Sequence, residues 1–186
     1  MINWFPKNKI GDYLHTFFLF VYKHKRIPFD KTKFNDYLFK FKTSNEIISP
    51  LRVFVTDKEF LKYFVKSIIG DKYNVPTISI IRNIKEIDSY EFPKNCCIKP
   101  THASGRVIFK KNNSKIYKVE IKKWFSLNYY DLGREANYKF LKPKIIVEPL
   151  IFKKTDISDY KFFCFNGIPK LIQVDEDRFS DHKRKF

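Results

Sequence analysis

The spacing of apolar residues changes once along this chain, near Val75, and that change limits the folds the chain can adopt. Before it, apolar residues recur every three or four positions, as they do in amphipathic helices. After it, short runs rich in β-branched residues alternate with further helical patterns. Because strands and helices do not follow a strict βαβ order, the sequence predicts an α+β fold.

Three helices are predicted in the first part of the chain. The first two are expected at residues 11–25 and 30–42. The third has Thr56 as its expected N-cap and Glu59 three residues later, the spacing of a capping box. Gly70 is expected to end it.

Short strands dominate the predictions for the second part. Five are expected before residue 150, at residues 75–81, 96–99, 106–110, 116–119 and 144–148. Helices are expected at residues 120–130 and 134–141. A hairpin of two further strands, 160–165 and 168–174, is predicted across Asn166–Gly167, a dipeptide that favours a tight two-residue turn.

The composition indicates a folded, strongly basic protein. Its 37 lysine and arginine residues against 20 acidic residues give a formal net charge of +17, which attracts polyanions. A hydrophobic content of 44% argues against disorder. The three cysteines lack the spacing of a zinc site, and a reducing, cytoplasmic location fits them best.

Two non-catalytic binding functions are compatible with this positive charge. Residues 13–26 combine an apolar run with a basic end and could lie on a membrane surface, although a core helix explains the pattern more simply. The run is about half the length needed to cross a bilayer, and no cleavage site of a signal peptide follows it. Aromatic residues alternate with lysines in residues 37–42 and 117–124 and could stack on nucleic-acid bases, but a helix face and an edge strand are the preferred explanation.

One ordered set of residues indicates nucleotide chemistry, although the Walker A, GxGxxG and GxSxG patterns are absent. Lys99 ends a predicted strand and would place a positive charge on phosphates. Ser104 and Gly105 follow it and would allow backbone N–H groups to approach phosphate oxygens. Glu148 ends another strand, whose backbone could contact an adenine edge.

The order of these residues resembles the ATP-grasp superfamily, and specifically its TupA-like family of teichuronopeptide and capsular polysaccharide gene clusters. The resemblance runs from about Lys25 to the end of the chain. Its most family-like stretches are Thr56–Glu59, Ile98–Gly105, Arg134–Tyr138, Ile145–Glu148, Asp159–Gly167 and Gln173–Arg178.

The resemblance implies a role for each candidate site residue. Lys58 would reach an ATP phosphate, Lys99 would hold the α- and β-phosphates, and Lys161 would face the γ-phosphate. A phosphate-covering loop would contain His102, Ser104 and Gly105. The adenine site would be lined by Glu148 and the backbone through Leu150.

Several of these residues have a simpler explanation that the sequence leaves open. Lys58 could be a surface lysine in the first turn of a helix. His102 could order its loop through a hydrogen bond instead of touching a ligand. Lys161 could lie on the solvent side of a half-buried hairpin, because it alternates with aromatic residues.

The resemblance also implies a reaction and its partners. A carboxylate would be activated by ATP as an acylphosphate and attacked by an amine, with an acidic glycan or glycan precursor as the acceptor. The alternative is a non-catalytic basic module that binds nucleic acid, anionic glycan or a membrane surface, and of these nucleic acid is disfavoured. No catalytic residue is assigned.

Mg²⁺ is expected from the family, but its ligands are not evident in this sequence. ATP-grasp enzymes carry acidic metal ligands on late strands, and the chain ends at Phe186, where relatives would continue through those strands. Asp175 and Asp177 do not match the family's metal positions. The implied organisation is a helical segment at 1–52, a first ATP-grasp subdomain at 53–148, and the start of a second, incomplete subdomain at 149–186.

Overall fold

A computed structural model describes residues 4–112, 114–151, 158–176 and 182–186 of the chain. The chain forms two compact units, Met1–Pro149 and Leu150–Phe186. Both α-helices and antiparallel sheets are present, so the predicted α+β class is confirmed. The three-part division at residues 52/53 and 148/149 stays a prediction.

The first unit begins with helices and continues into a four-stranded sheet. Its helices are α1 (Lys9–His24), α2 (Phe34–Thr43), α3 (Pro50–Thr56), α4 (Lys58–Ile69), α5 (Glu86–Ser89), α6 (Lys118–Phe125) and α7 (Tyr130–Gly133). Its strands are β1 (Ser79–Ile81), β2 (Cys96–Pro100), β3 (Ile108–Lys110) and β4 (Ile145–Pro149). Short 3₁₀ turns lie at Asn45–Ile48, Asp71–Tyr73 and Ala136–Tyr138. Among the described residues, no helix is both long and apolar enough to cross a membrane.

The sheet of the first unit has the strand order β1-β4-β2-β3, and every pairing is antiparallel. The core packs on one face of this sheet, because alternate residues of a strand point to the same side. The buried core cluster contains Ile81, Ile87, Phe92, Cys96, Ile98, Ile121, Trp124, Ile145 and Val147. The opposite face is therefore left to the intervening residues of β2 and β4.

Helix α4 begins one residue later than the sequence predicts. Its N-cap is Asp57, whose Oδ1 accepts a hydrogen bond from the backbone N–H of Glu59 at 2.9 Å. The prediction of Thr56 as N-cap is therefore wrong. Thr56 is instead the last residue of α3, where its hydroxyl donates to the carbonyl of Arg52 at 2.7 Å. Gly70 does end α4, with a φ of 94° that favours glycine.

Two predicted elements of the first unit are wrong. Residues 116–119 form no strand, because Lys118 already starts α6, whose Ile121 and Trp124 enter the core at helical spacing. Residues 134–141 form no α-helix, because Arg134 has a left-handed φ of 52° and ends α7. The guanidinium of Arg134 is almost fully buried and donates to the carbonyl of Phe5 at 2.6 Å, which fixes the chain there.

The second unit contains the predicted hairpin. Its strands are β5 (Asp159–Phe165), β6 (Ile168–Glu176) and β7 (Lys183–Lys185), in the antiparallel order β5-β6-β7. Asn166 and Gly167 connect β5 to β6, and both have positive φ, of 50° and 78°. This is the backbone that a two-residue hairpin turn requires, so the prediction from Asn–Gly is confirmed.

Candidate functional site

Lys99 and Glu148 lie on the face of the sheet that is turned away from the core cluster. In the β2–β4 ladder, Cys97 is registered against Glu148, and Lys99 against Ile146. Registered residues share a face, and so do residues two apart on one strand. The two charged side chains are therefore diagonal neighbours on one surface.

Glu148 receives a lysine on each of its carboxylate oxygens. Lys99 Nζ lies 2.5 Å from Oε2, and Lys62 Nζ from helix α4 contacts Oε1. Burial alone would raise the pKa of Glu148, but the hydrogen bonds from Lys62 and Lys99 outweigh it and hold the pKa below its ordinary value. Glu148 is thus a buried carboxylate that stays charged and joins α4 to the sheet.

Lys58, in the first turn of α4, ties this helix to the segment after β2. Its Nζ donates to the carbonyl of Pro100 at 2.8 Å and also to the carbonyl of Ala103. Burial, and then the nearby charge of Lys99, lowers the pKa of Lys58 to about 8. An ammonium group has three donors, and these carbonyls are its two acceptors among the described residues. Lys58 is therefore not the plain surface lysine that the sequence left open.

His102 is buried and held through both ring nitrogens. Nε2 lies 2.9 Å from the carbonyl of Trp124, and Nδ1 accepts from the backbone N–H of Lys144 at 3.3 Å. Since Nδ1 accepts, Nε2 carries the proton and donates. Burial lowers the pKa of His102 in spite of these two hydrogen bonds, which favours the neutral ring. In this geometry the ring orders its loop, the second of the two roles that the sequence allowed.

Ser104 and Gly105 follow this buried histidine and are exposed. Gly105 has a φ of 71°, a conformation that residues with a Cβ rarely adopt. Space around it is open, so the backbone conformation and not a close neighbour requires the glycine. The loop is therefore fixed at its base by His102 and presents an open turn at its tip.

A buried charge network lies beneath the start of α4. Lys144 contacts the carboxylates of both Asp57, at 3.1 Å, and Glu59. Arg82 also donates to both oxygens of Glu59, at 2.9 and 2.5 Å. Chiefly because of Arg82, the pKa of Glu59 falls to about 2. Asp57 in turn accepts from the hydroxyl of Thr101 at 3.1 Å, which ties the helix start to the loop.

The first unit brings most of the predicted site residues together. Lys58, Lys99 and Glu148 are joined by direct contacts or by charge, and the loop of His102, Ser104 and Gly105 starts where β2 ends. Leu150 and Lys161 belong to the second unit.

Within the second unit, Lys161 is engaged in ion pairs. Its Nζ lies 3.2 Å from a carboxylate oxygen of Asp159 and also contacts Asp175. The hydrogen bond to Asp175 raises the pKa of Lys161. Asp175 is buried and also accepts from Gln173 and Arg184, so cations and donors surround its carboxylate. Asp177 lies outside the described residues.

Lys62 belongs to the site, although the sequence analysis did not predict it as a site residue. It follows Lys58 by four residues, the spacing that places two side chains on the same face of a helix. This spacing could have indicated that Lys62 accompanies Lys58 at the site. It becomes informative only once α4 is known to pack beside the end of β4.

The described residues offer anion-binding groups but no metal cluster. The ammonium groups of Lys62 and Lys99 share the carboxylate of Glu148, and the charge of Lys58 lies close enough to Lys99 to lower the pKa of Lys58. Ammonium groups gathered in this way are suited to binding phosphates. Across the described ranges, no group of three His, Cys, Asp or Glu side chains could hold a metal ion. The cationic side chains therefore fit a polyphosphate such as the triphosphate of ATP.

The aromatic residues of 37–42 and 117–124, considered above as a surface for stacking bases, do not form such a surface. Phe39 and Trp124 are buried in the protein, and Phe41 is covered by the guanidinium of Arg52 at 4.4 Å. These rings are not available as a stacking platform. Tyr37 and Tyr117 remain exposed, but they lie on separate elements.

Comparison with known proteins shows the family of the chain. Residues 39–186 match the model of the family described as TupA-like ATPgrasp, which covers more than half of the chain. The chain therefore belongs to this ATP-grasp family, whose members generally bind ATP and Mg²⁺. No curated protein and no solved structure shows a significant match to it.

Proposed function

We propose that this protein binds ATP on the sheet face of Lys99 and Glu148, and uses it to join a carboxylate to an amine in the synthesis of a surface polysaccharide. One observation carries the proposal: Lys62 and Lys99 meet on the single carboxylate of Glu148. The negative charge of Glu148 offsets the repulsion between the two ammonium groups. Both lysines can therefore lie close together, where they could bind phosphates. The family supports the use of ATP, and the resemblance alone supplies the polysaccharide context.

The three lysines have distinct proposed roles. Lys99 is the most exposed member of the Glu148 ion pairs, with 30% of its side chain accessible, and is proposed to hold the α- and β-phosphates. Lys62 is more enclosed, and would stay on Glu148 while adding positive charge. Lys58 would keep its two carbonyl contacts and direct its third donor to a phosphate.

The loop and the end of β4 complete the proposed nucleotide site. Backbone N–H groups at Ser104 and Gly105 would cover the phosphates, while His102 holds the loop in place. Glu148 and the backbone through Leu150 are proposed to line the adenine. The assignments of Leu150 to adenine and of Lys161 to the γ-phosphate rest on the resemblance.

The proposed reaction has two displacements. A carboxylate oxygen of an acidic glycan or its precursor attacks the γ-phosphorus, and ADP leaves. The amine then attacks the carbonyl carbon, phosphate leaves, and the amine nitrogen loses a proton to give an amide. The residues of this chain would bind and orient the phosphates and neutralise their charge. No step is assigned to a metal ion.

Nucleotide binding is tested by the thermal unfolding of the full chain with and without Mg-ATP. The parent protein should gain several degrees in Tm, since a ligand that binds the folded state stabilises it. Lys99→Ala should lose most of that gain. Lys94→Ala removes the same charge at an exposed position just before β2 and should keep it.

The absence of any Mg-ATP shift in the parent would overturn the proposal. So would a Lys99→Ala shift equal to that of the parent. The ligation step is tested separately, by ADP release in the presence of a uronic acid and a panel of amines. Release that requires both substrates supports ligation, and release that needs neither contradicts it.

A second proposal is peripheral contact with an anionic membrane through α1. The buried face of this helix carries Gly11, His15, Thr16 and Phe20, three of which are small or polar. Its exposed side instead carries Ile10, Phe18 and Tyr22, which follow the helical spacing of one stripe and are more than half accessible. Lys23 and Lys25 follow at its end, and such a basic border favours anionic headgroups.

Vesicle flotation tests this contact. The parent should float with vesicles that contain phosphatidylglycerol and not with pure phosphatidylcholine. The double variant Phe18→Ser with Tyr22→Ser should remain at the bottom of the gradient. Tyr63→Ser removes an exposed ring from α4 and should float like the parent. A parent that does not float with the anionic vesicles would overturn the proposal.

A further inference from the structure

A small cavity lies in the first unit between the start of α1, the end of α2 with the 3₁₀ turn Asn45–Ile48, and the segment after α7. Its volume is about 170 Å³, below the roughly 300 Å³ at which sites for drug-sized ligands begin. The cavity therefore fits one small group and not a whole nucleotide. Its charged lining side chains are Lys9, Asp12, Lys42, Arg134 and Lys139.

The single carboxylate of this lining is already neutralised. Asp12 accepts from Nη1 of Arg134 at 2.9 Å, and its two oxygens accept from the hydroxyl of Tyr130 at 2.6 and 2.8 Å. Arg134 is almost fully buried beside it. Asp12 and Arg134 therefore balance each other in charge, and the three lysines of the lining have no carboxylate of their own.

Two of these lysines are held by neutral groups. Nζ of Lys42 donates to the carbonyl of the last residue of α7 at 2.6 Å. Nζ of Lys139 lies over the rings of Tyr130 and Phe140, 5.1 and 5.5 Å from their centroids. Within the described part of the chain, neither they nor Lys9 form a salt bridge. Because an ammonium group has three donors, all three lysines keep donors for an anion.

A neighbouring histidine reflects the positive charge around this cavity. His15 on α1 is buried, and burial is the first cause of its lowered pKa. The charges of Lys42 and Arg134 lower this pKa further, while Asp12 raises it. Surroundings that oppose a further positive charge attract a negative one.

We propose that this cavity binds the phosphate group of a phosphomonoester. Such a group carries a charge of about −1.5 to −2 near pH 7 and three acceptor oxygens. Lys9, Lys42 and Lys139 would donate to these oxygens through charge-assisted hydrogen bonds. A phosphodiester or a carboxylate carries a single negative charge and matches three ammonium groups less well.

The family match does not account for this site. Helix α1 supplies Lys9 and Asp12 and lies before residue 39, where the match begins. Lys42 and Lys139 lie within the match, on the other side of the cavity. The cavity thus combines a helix outside the matched region with residues inside it, and none of its charged side chains belongs to the proposed nucleotide site.

The border of the cavity favours a phosphate group that is carried by a lipid. Ile48 and Phe140 line the cavity and are 48% and 80% exposed. Ile10, the neighbour of Lys9, belongs to the exposed stripe of α1 that is proposed above to contact a membrane. The apolar chains of a lipid would contact this border. The lipid source rests on that proposed contact, whereas the phosphate site itself does not, and a soluble phosphomonoester is the other source.

Calorimetry with small soluble probes tests the phosphate site. Methyl phosphate, a monoester, is compared with dimethyl phosphate, a diester that differs from it by one methyl group and one charge. The parent protein should bind methyl phosphate about tenfold more tightly near neutral pH. This comparison changes only the ligand, so it does not depend on how a variant folds.

Vesicle sedimentation tests the lipid source. Phosphatidylcholine vesicles contain either phosphatidic acid, a monoester, or phosphatidylglycerol, a diester, at fractions that give equal surface charge. A lipid source predicts about tenfold stronger binding to phosphatidic acid. The variant Phe18→Ser with Tyr22→Ser should bind neither kind of vesicle and should still bind methyl phosphate like the parent.

Two double variants of equal charge locate the site. Lys9→Gln with Lys139→Gln removes two of the three ammonium groups and should weaken the binding of methyl phosphate about tenfold or more. It should also lose the preference for phosphatidic acid. Lys85→Gln with Lys94→Gln removes the same charge from exposed positions between β1 and β2 and should behave like the parent. Both variants should unfold near the Tm of the parent, which shows that they fold.

The outcomes separate the sources and the proposals. A monoester preference that only the Lys9 and Lys139 variant loses supports the site, with phosphatidic acid indicating a lipid and methyl phosphate alone indicating a soluble ligand. No preference for either monoester would overturn the site, and so would equal loss, or no loss, in the two double variants. A parent that binds methyl phosphate in this way but no anionic vesicle would overturn the membrane contact alone.

Discussion

Lys99 on β2 reaches diagonally across the sheet to Glu148 on β4, with Nζ 2.5 Å from Oε2. Lys62 occupies the other oxygen of the same carboxylate. Glu148 is 5% exposed, so its charge lies in a region where water screens it little. One buried carboxylate therefore holds two lysines that would otherwise repel each other.

Replacement of Glu148 by Gln should destabilise the protein by about 2 kcal/mol. The substitution keeps the volume but leaves Lys62 and Lys99 without their counter-charge, and partial exposure of both lysines keeps the loss below that of a fully buried pair. Urea denaturation at neutral pH measures the free energy of unfolding. Asp71→Asn breaks an exposed pair with Lys66 and should lower the free energy of unfolding much less, because water screens this pair. Equal losses in the two variants would contradict this account.

Binding of Mg-ATP should take up protons above pH 8 because of Lys58. Burial lowers the pKa of this lysine from 10.5 to about 8, and a phosphate nearby would raise it again. Charged Lys58 therefore opposes folding in the free protein, and this cost is relieved as the pH rises from about 8 towards 10.5. Calorimetry at pH 8.5, in buffers of different ionisation enthalpy, should detect uptake of part of a proton.

Two comparisons identify Lys58 as the group that takes up this proton. At pH 7 the uptake should be close to zero, because Lys58 is already charged in the free protein. Lys58→Arg should show little uptake at pH 8.5, since a guanidinium stays protonated there. Equal uptake in the parent and in Lys58→Arg would show that another group is responsible.

Replacement of His102 by Ala should loosen the phosphate loop. The ring holds the carbonyl of Trp124 and the N–H of Lys144, and both groups lose a partner in the variant. The expected loss is about 2–3 kcal/mol, with faster proteolysis near Arg106 at the exposed tip. Nitrogen NMR of the parent should show the neutral ring with its proton on Nε2. A charged ring at pH 6 would contradict the lowered pKa.

The sequence was most informative where the structure depends on local chemistry. The Asn166–Gly167 hairpin follows from the positive φ of two adjacent residues, and α1 follows from helical spacing over several turns. Residues 116–119 and 134–141 were assigned wrongly because their conformation depends on distant contacts. The burial of Arg134 against Phe5, 129 residues away, is such a contact.

The same distinction applies to the candidate site. Lys99 and Glu148 were singled out because each ends a strand, which is a local property. Lys62 was not, because its role depends on how α4 packs beside β4. The burial of His102 could not be predicted from neighbouring residues either, because its hydrogen-bond partners are 22 and 42 residues away in the chain.

The ion pair between Glu59 and Arg82 should make stability depend on pH in the acid range. The pKa of Glu59 falls from 4.5 to about 2, chiefly through hydrogen bonds from Arg82, so charged Glu59 stabilises the fold above pH 4.5. That contribution is lost as the pH falls from 4.5 towards 2. Arg82→Gln should cost about 1 kcal/mol at pH 7, discounted because Arg82 is more than half exposed, and the difference from the parent should shrink towards pH 2. Urea denaturation at pH 7, 4 and 2 measures it, with exposed Arg106→Gln as the control, and a difference that stays constant over this range would contradict the pairing.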